Sequence, residues 1–138
     1  MSRKVAREYA YKLIFEFLFS KSTNSHTYQL FACADLSEQD IQYLEKIYFG
    51  VSEKYNELID EISKYSHGFA IDRIYKTDLS ALLLAIYEMK YINDIPLSVS
   101  ISEAVLLVKK YSTEKSNSFV NGILSSIYKN MEYKKWLQ

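Results

Sequence analysis

The side chains with the clearest chemical potential are cations gathered at two places. At the start of the chain Arg3, Lys4, Arg7 and Lys12 face only Glu8. Cations at a helix N-terminus oppose the helix dipole at a cost of about 0.3–1 kcal/mol each. Their presence there calls for an anion. A phosphate would satisfy the free backbone N–H groups and the basic side chains together; the alternative is a solvated basic end. The second group is Lys109, Lys110 and Lys115 against Glu114, in a polar turn that leads directly into Phe119-Val120-Asn121-Gly122. Gly122 sits inside an apolar-striped segment, where glycine costs about 1 kcal/mol relative to alanine. That cost points to close helix approach or to a contact that a side chain would block.

Catalytic and metal chemistry find little support. There is no nucleophile elbow, no phosphate-binding glycine loop and no His beside a Ser or Cys partner. His26 and His67 are far apart and have no ligand-spaced neighbours, so neither a metal nor a cofactor is expected. The carboxylates fall at positions that read as solvated helix surface. Binding is the expected class of activity.

Positioning these residues requires helices. Three Gly and one Pro in 138 residues leave little punctuation for hairpins, and helical periodicity outweighs the strand preference of 13 Tyr and seven Phe. The spacing predicts an all-α protein. Arg3 to Ser20 forms a first helix with Ala6, Tyr9, Ala10, Leu13 and Phe17 inward, and Arg3, Lys4 and Arg7 on a neighbouring face. Lys21 to Thr27 is a polar connection, followed by a short helical piece from Tyr28 to Ala34. Ser37, with Asp40 three residues on, opens a long helical region striped by Ile41, Leu44, Ile47, Tyr48 and Val51, bent or broken near Gly50 to Glu53. Gly68 closes that region in a left-handed conformation.

After a short turn at Ile71 to Ile74, Thr77 is expected to cap a helix whose Leu79, Leu82, Leu83, Leu84, Ile86 and Met89 cover nearly every face. Such a helix belongs at the centre of a domain. Glu88 near its end reads as either a solvated terminus or a partner contact. Asn93 to Pro96 then turns the chain. Ser100 and Glu103 have capping-box spacing ahead of Ile101, Ala104, Val105 and Val108. Val120, Ile123, Leu124, Ile127 and Met131 stripe the last helix, and the basic tail from Lys129 to Gln138, with Trp136, reads as loosely packed.

Length and charge bound the rest. One domain of 138 residues can bury roughly two thirds of its unfolded surface, and two helical subdomains, about 1–70 and 71–138, are expected within it. Cys33 is alone, which fits a reducing cytoplasm, and the apolar run from Leu79 to Tyr91 is too short to span a membrane. The formal net charge is zero, so no bulk positive field grips nucleic acid, but the charge is segregated. Between Asp35 and Ile62 eight acidic residues face only Lys46 and Lys54.

Arg3-x-x-Ala6-Arg7-Glu8, Leu84-Ala85-Ile86-Tyr87-Glu88, Ile95-Pro96, Ile101-Ser102-Glu103-Ala104-Val105, Lys109 and Phe119-Val120-Asn121-Gly122 occur in one order over essentially the whole chain. This combination resembles the NusB transcription antitermination factor family. The resemblance implies about seven helices in two packed subdomains and a non-enzymatic RNA-binding role. The implied target is the boxA element of nascent ribosomal RNA, bound together with ribosomal protein NusE in an RNA polymerase antitermination complex. It further implies that Arg3, Lys4 and Arg7, with Lys109, Lys110 and Lys115, hold phosphates. Phe119 would stack on an unpaired base or pack in the core, and Asn121 would bond RNA or serve as a buried amide. Glu88 would face NusE. Leu83 and Ser102 stand where the family often has Arg and Asn. Two rivals remain, a protein-only helical adaptor and the helical domain that precedes the catalytic part of some ribosomal RNA methyltransferases. The second is not expected of a sequence ending at Gln138. Oligomeric state stays open between monomer and homodimer.

Overall fold

Every residue from Asp78 to Met89 is buried, the arrangement that an apolar run covering all faces of a helix demands. The computed structural model describes residues 2–32 and 36–137 and builds the fold around that helix. In chain order the helices are α1 (Ser2–Ser20), α2 (Ser25–Ala32), α3 (Glu38–Glu53), α4 (Tyr55–Tyr65), α5 (Lys76–Tyr91), α6 (Leu97–Tyr111) and α7 (Glu114–Leu137). A single 3₁₀ turn at Ile71–Arg73 precedes α5. No strand occurs among the described residues, and none of their helices is long and apolar enough to cross a membrane.

Helix α5 is the common support. It packs against α1 and α6 along much of its length and also touches α3, α4 and α7, while α1 lies on α3 and α6 on α7. One buried cluster runs through all of these contacts, with Ala6, Ala10, Leu13, Ile14 and Phe17 from α1, and Val120, Ile123, Leu124 and Ile127 from α7. Fully burying each leucine such as Leu82 or Leu84 contributes about 1.5–3 kcal/mol.

Several local expectations change on contact with the fold. Ser37 does cap α3: its hydroxyl oxygen accepts from the Asp40 N–H at 3.2 Å and its O–H donates to the Asp40 carboxylate at 2.9 Å. Helix α3 runs straight through Gly50, however, and the break falls at Lys54. Gly50 is there for proximity, since a Cβ on it would lie 2.2 Å from the Tyr87 ring of α5. Gly122 is the opposite case, with nothing within 4 Å of where a Cβ would stand. Close helix approach therefore does not explain it.

Thr77 does not cap α5; Tyr75 occupies that position and the Thr77 hydroxyl bonds Ser112 instead. The proposed capping box at Ser100 and Glu103 is also replaced, because Pro96 starts α6 a turn earlier and both side chains turn toward other helices. At the end of α4, His67 and Gly68 take left-handed φ values of 47° and 90°. The chain beyond Lys129 continues α7 to Leu137, so it is not a loose tail in its backbone. The packing expected of Trp136, and Cys33 and Ala34 at the end of the helical piece expected from Tyr28, lie outside the described residues and side chains.

Candidate nucleic-acid interface

Arg7 and Glu88 belong to the interior. The first turns of α1 pack over the C-terminal end of α5, which leaves Arg7 6% and Glu88 1% exposed. A carboxylate at that depth needs several donors, and Glu88 has them. Arg7 donates through Nε at 2.9 Å and Nη2 at 3.4 Å, Ser100 of α6 through Oγ at 2.8 Å, and Tyr43 of α3 through its hydroxyl. Arg7 also reaches Glu103 through Nη1 at 3.3 Å. Burial, reinforced by the Glu88 charge, pushes the Tyr43 hydroxyl well above its ordinary range and keeps it a donor. The expected phosphate contact at Arg7 and the expected partner contact at Glu88 are thereby corrected: the two are each other's partners, and they tie four helices together.

Arg3 is half-exposed at the edge of this network. Its Nε donates to Asp40 at 2.8 Å and its guanidinium lies 4.4 Å from the centre of the Tyr43 ring. Burial pushes the Asp40 carboxyl up, but the bonds from Arg3 and Ser37 outweigh it and leave the group below its usual range. Arg3 lines a polar groove of about 400 Å³ with Gln39, Gln42, Tyr43, Lys46, Ile92 and Asp94.

The remaining lysines lie on open surface. Lys4 stands 3.8 Å from Glu103, and Lys110 is 2.7 Å from Glu8. That Lys110 bond, followed by one from the Tyr111 hydroxyl, holds the Glu8 carboxyl below the usual range. Exposed pairs of this kind are worth at most about 1 kcal/mol, so a phosphate can compete for either cation. Lys4 and Lys110 line a small cleft between α1 and α6 together with Arg7, Glu8, Glu103 and Leu106. Leu106, 46% exposed, also lines the adjoining groove with Ser102, Lys109 and Asn121. Five of the expected residues therefore line two grooves that meet at one leucine of α6: Lys4, Lys109, Lys110 and Asn121 from the surface, and Arg7 with a buried side chain.

Phe119 and Lys115 are elsewhere. Two residues along a helix is about 200° of rotation, so Phe119 emerges on the opposite flank of α7 from Asn121. There it packs edge-on to Phe69, with ring centres 5.5 Å apart, in a groove of about 240 Å³ lined also by Arg73, Tyr75, Asp78 and Lys115. This groove opens beside the first turn of α5, whereas Arg3 sits beside Ile92, just past its last turn. The two are separated by roughly 20 Å at 1.5 Å per residue. Phe69, Arg73 and Tyr75 were not singled out in the sequence; the available signal was an aperiodic stretch carrying aromatics and a cation between two helices. Among the described residues no group of His, Cys, Asp and Glu could hold a metal.

Comparison with known proteins bears on the fold and the family. The NusB family profile matches residues 4–129. Transcription antitermination protein NusB of Acetivibrio thermocellus is 41% identical over 133 residues, covering 94% of this chain and 90% of that protein. Among solved structures, T. maritima NusB superposes with a TM-score of 0.83 at 30% identity, covering 92% of this chain and 90% of that one. A chain from a crystal structure of antitermination factors NusB and NusE in complex with double-stranded RNA gives 0.83 at 26% identity over 94% of this chain and 97% of that one. The profile match and the level of identity across nearly the whole length place the chain in the NusB family.

Proposed function

We propose that this chain is an RNA-binding transcription antitermination factor that recognises boxA-type single-stranded RNA in nascent ribosomal RNA transcripts together with ribosomal protein NusE. It works in the cytoplasm within an RNA polymerase antitermination complex, by binding rather than catalysis. The observation that carries this reading is the convergence of Lys4, Lys109, Lys110 and Asn121 on adjoining grooves across α6. Cations spaced along a groove meet successive phosphates, and an exposed amide beside them can read a base edge. The aromatic groove of Phe69, Tyr75 and Phe119, flanked by Arg73 and Lys115, is suited to a stacked unpaired base. The kinship with NusB proteins, one of them crystallised with NusE and RNA, supports the same assignment.

The test is a titration of a boxA-containing single strand and a scrambled strand across a salt series. The boxA strand is expected to bind tighter, with log affinity falling by about 0.7 per phosphate contact for each tenfold rise in salt. Negligible affinity for both strands refutes the reading. In its place would stand a protein-only adaptor, favoured by the exposed Glu45, Glu53, Glu57 and Asp60 on α3 and α4.

A further inference from the structure

The polar cluster beneath the α6–α7 turn has no role in the reading above. Asp78, in the first turn of α5, is 4% exposed, and no cation pairs with it among the described residues. Both of its oxygens are occupied by hydroxyls from the turn. Ser112, the residue that ends α6, donates at 2.7 Å, and Ser116, in the first turn of α7, donates at 2.9 Å. The two serines lie 2.9 Å apart, Ser112 also bonds Thr77 at 3.0 Å, and Ser116 bonds Thr113 at 3.0 Å. The Tyr11 hydroxyl of α1 donates to the Thr77 carbonyl at 2.9 Å and its ring stacks on Tyr111. One carboxylate thus joins the end of α6, the start of α7 and the start of α5. The N-terminal dipole of α5 favours its charge there.

Those joined ends carry every lysine of the turn. Lys109 and Lys110 stand just before Ser112, and Lys115 stands between Thr113 and Ser116. Lys115, Ser116 and Phe119 share the aromatic groove with Asp78 itself. Resting on the RNA-binding function proposed above, we infer that Asp78 is a positioning residue of that site. It touches no RNA. It fixes the spacing between Lys109–Lys110 on one flank of the turn and Lys115–Phe119 on the other, so that one strand meets both without first ordering the turn. Holding a binding surface in its bound conformation raises affinity by removing the ordering cost.

The experiment compares wild type, Asp78→Ala, the Ser112→Ala/Ser116→Ala double variant and Asp78→Asn. Amide exchange is read residue by residue on the free protein, and RNA affinity is read with boxA and scrambled strands over a salt series. In Asp78→Ala and in the double variant, exchange from Ser112 to Phe119 accelerates about tenfold while α1 and α3 keep their protection. The same variants bind boxA RNA about tenfold more weakly, with a salt slope shallower by about one contact. Asp78→Asn restores both readouts, because its side chain can accept from one hydroxyl and donate to the other.

Three results overturn the inference. Unchanged local exchange with unchanged affinity removes the clamp. Tighter RNA binding in both Asp78→Ala and Asp78→Asn makes the carboxylate merely a repelling charge. Exchange raised evenly over the whole chain makes it an ordinary stabilising contact. A wild type that binds neither strand refutes the RNA reading instead, and the exchange arm then reports on the turn alone.

Discussion

Replacing Glu88 with alanine separates an interior carboxylate from a surface one by several kcal/mol. The change leaves the Arg7 guanidinium, with a side chain 7% exposed, holding only Glu103 at 3.3 Å, and strands the Tyr43 and Ser100 hydroxyls. Removing one partner of a buried ion pair costs about 3–5 kcal/mol, and each stranded buried hydroxyl adds about 1–3 kcal/mol unless it finds another acceptor. A loss of at least about 4 kcal/mol is expected, a large part of the 5–15 kcal/mol typical of a domain. Urea unfolding followed by circular dichroism measures it directly. Glu88→Gln keeps the shape and one acceptor and should cost less, about 1.5–3 kcal/mol. The sharper arm is Arg7→Met with Glu88→Leu, which removes both charges and should recover most of the loss of either single change. If Glu88→Ala lies within about 0.5 kcal/mol of wild type, as a surface substitution would, the network does not hold the helices and the case for an interior Glu88 fails.

The two glycines give opposite predictions. Gly50→Ala places a methyl 2.2 Å from the Tyr87 ring and should lower stability by about 1–3 kcal/mol, whereas Gly122→Ala fills open space and should raise it by about 0.5–1 kcal/mol; parallel thermal melts compare them. Acid should weaken the fold through Glu8 and Asp40, whose carboxyls are held below their usual range. Their contribution is present above the unfolded value near pH 4 and is lost as pH falls through the lower folded values. Urea unfolding at pH 6 and pH 3 should therefore show a smaller acid loss in Glu8→Gln than in wild type.

Much of the fold was legible because α5 announced itself. A run apolar on every side has to be central, and the stripes of α1, α3 and α7 had only that helix and one another to cover. The capping signals were less dependable, since Ser100, Glu103 and Thr77 carry the right chemistry for caps but are used between helices. Local spacing cannot distinguish a hydroxyl bonding its own backbone from one serving a buried carboxylate twelve residues away. The candidate site was half legible. Lys4, Lys109, Lys110 and Asn121 could be picked as exposed polar residues, but no pattern places Phe69 against Phe119 across fifty residues of chain.

Arg7 could have been caught. In α1 it lies three residues before Ala10 and seven before Ile14, both fully buried, so it shares their face, while Lys4 is rotated away onto solvent. Charge composition treats the basic start of the chain as one patch; helical geometry divides it. Arg7 compensates Glu88, Arg3 is half committed to Asp40 and Tyr43, and Lys4 is the exposed one, in a cleft with Lys110 and only a 3.8 Å contact to Glu103. The same division explains why a helix can tolerate three cations at its N-terminus. One has a buried counter-ion in Glu88 and one a buried carboxylate in Asp40, so only the third, whose contact with Glu103 is a loose 3.8 Å, relies chiefly on solvent or on an incoming phosphate to offset the dipole. Variants meant to probe RNA contact at this end should accordingly change Lys4, because the effect of any change at Arg7 on binding is inseparable from its effect on the junction of α1, α3, α5 and α6.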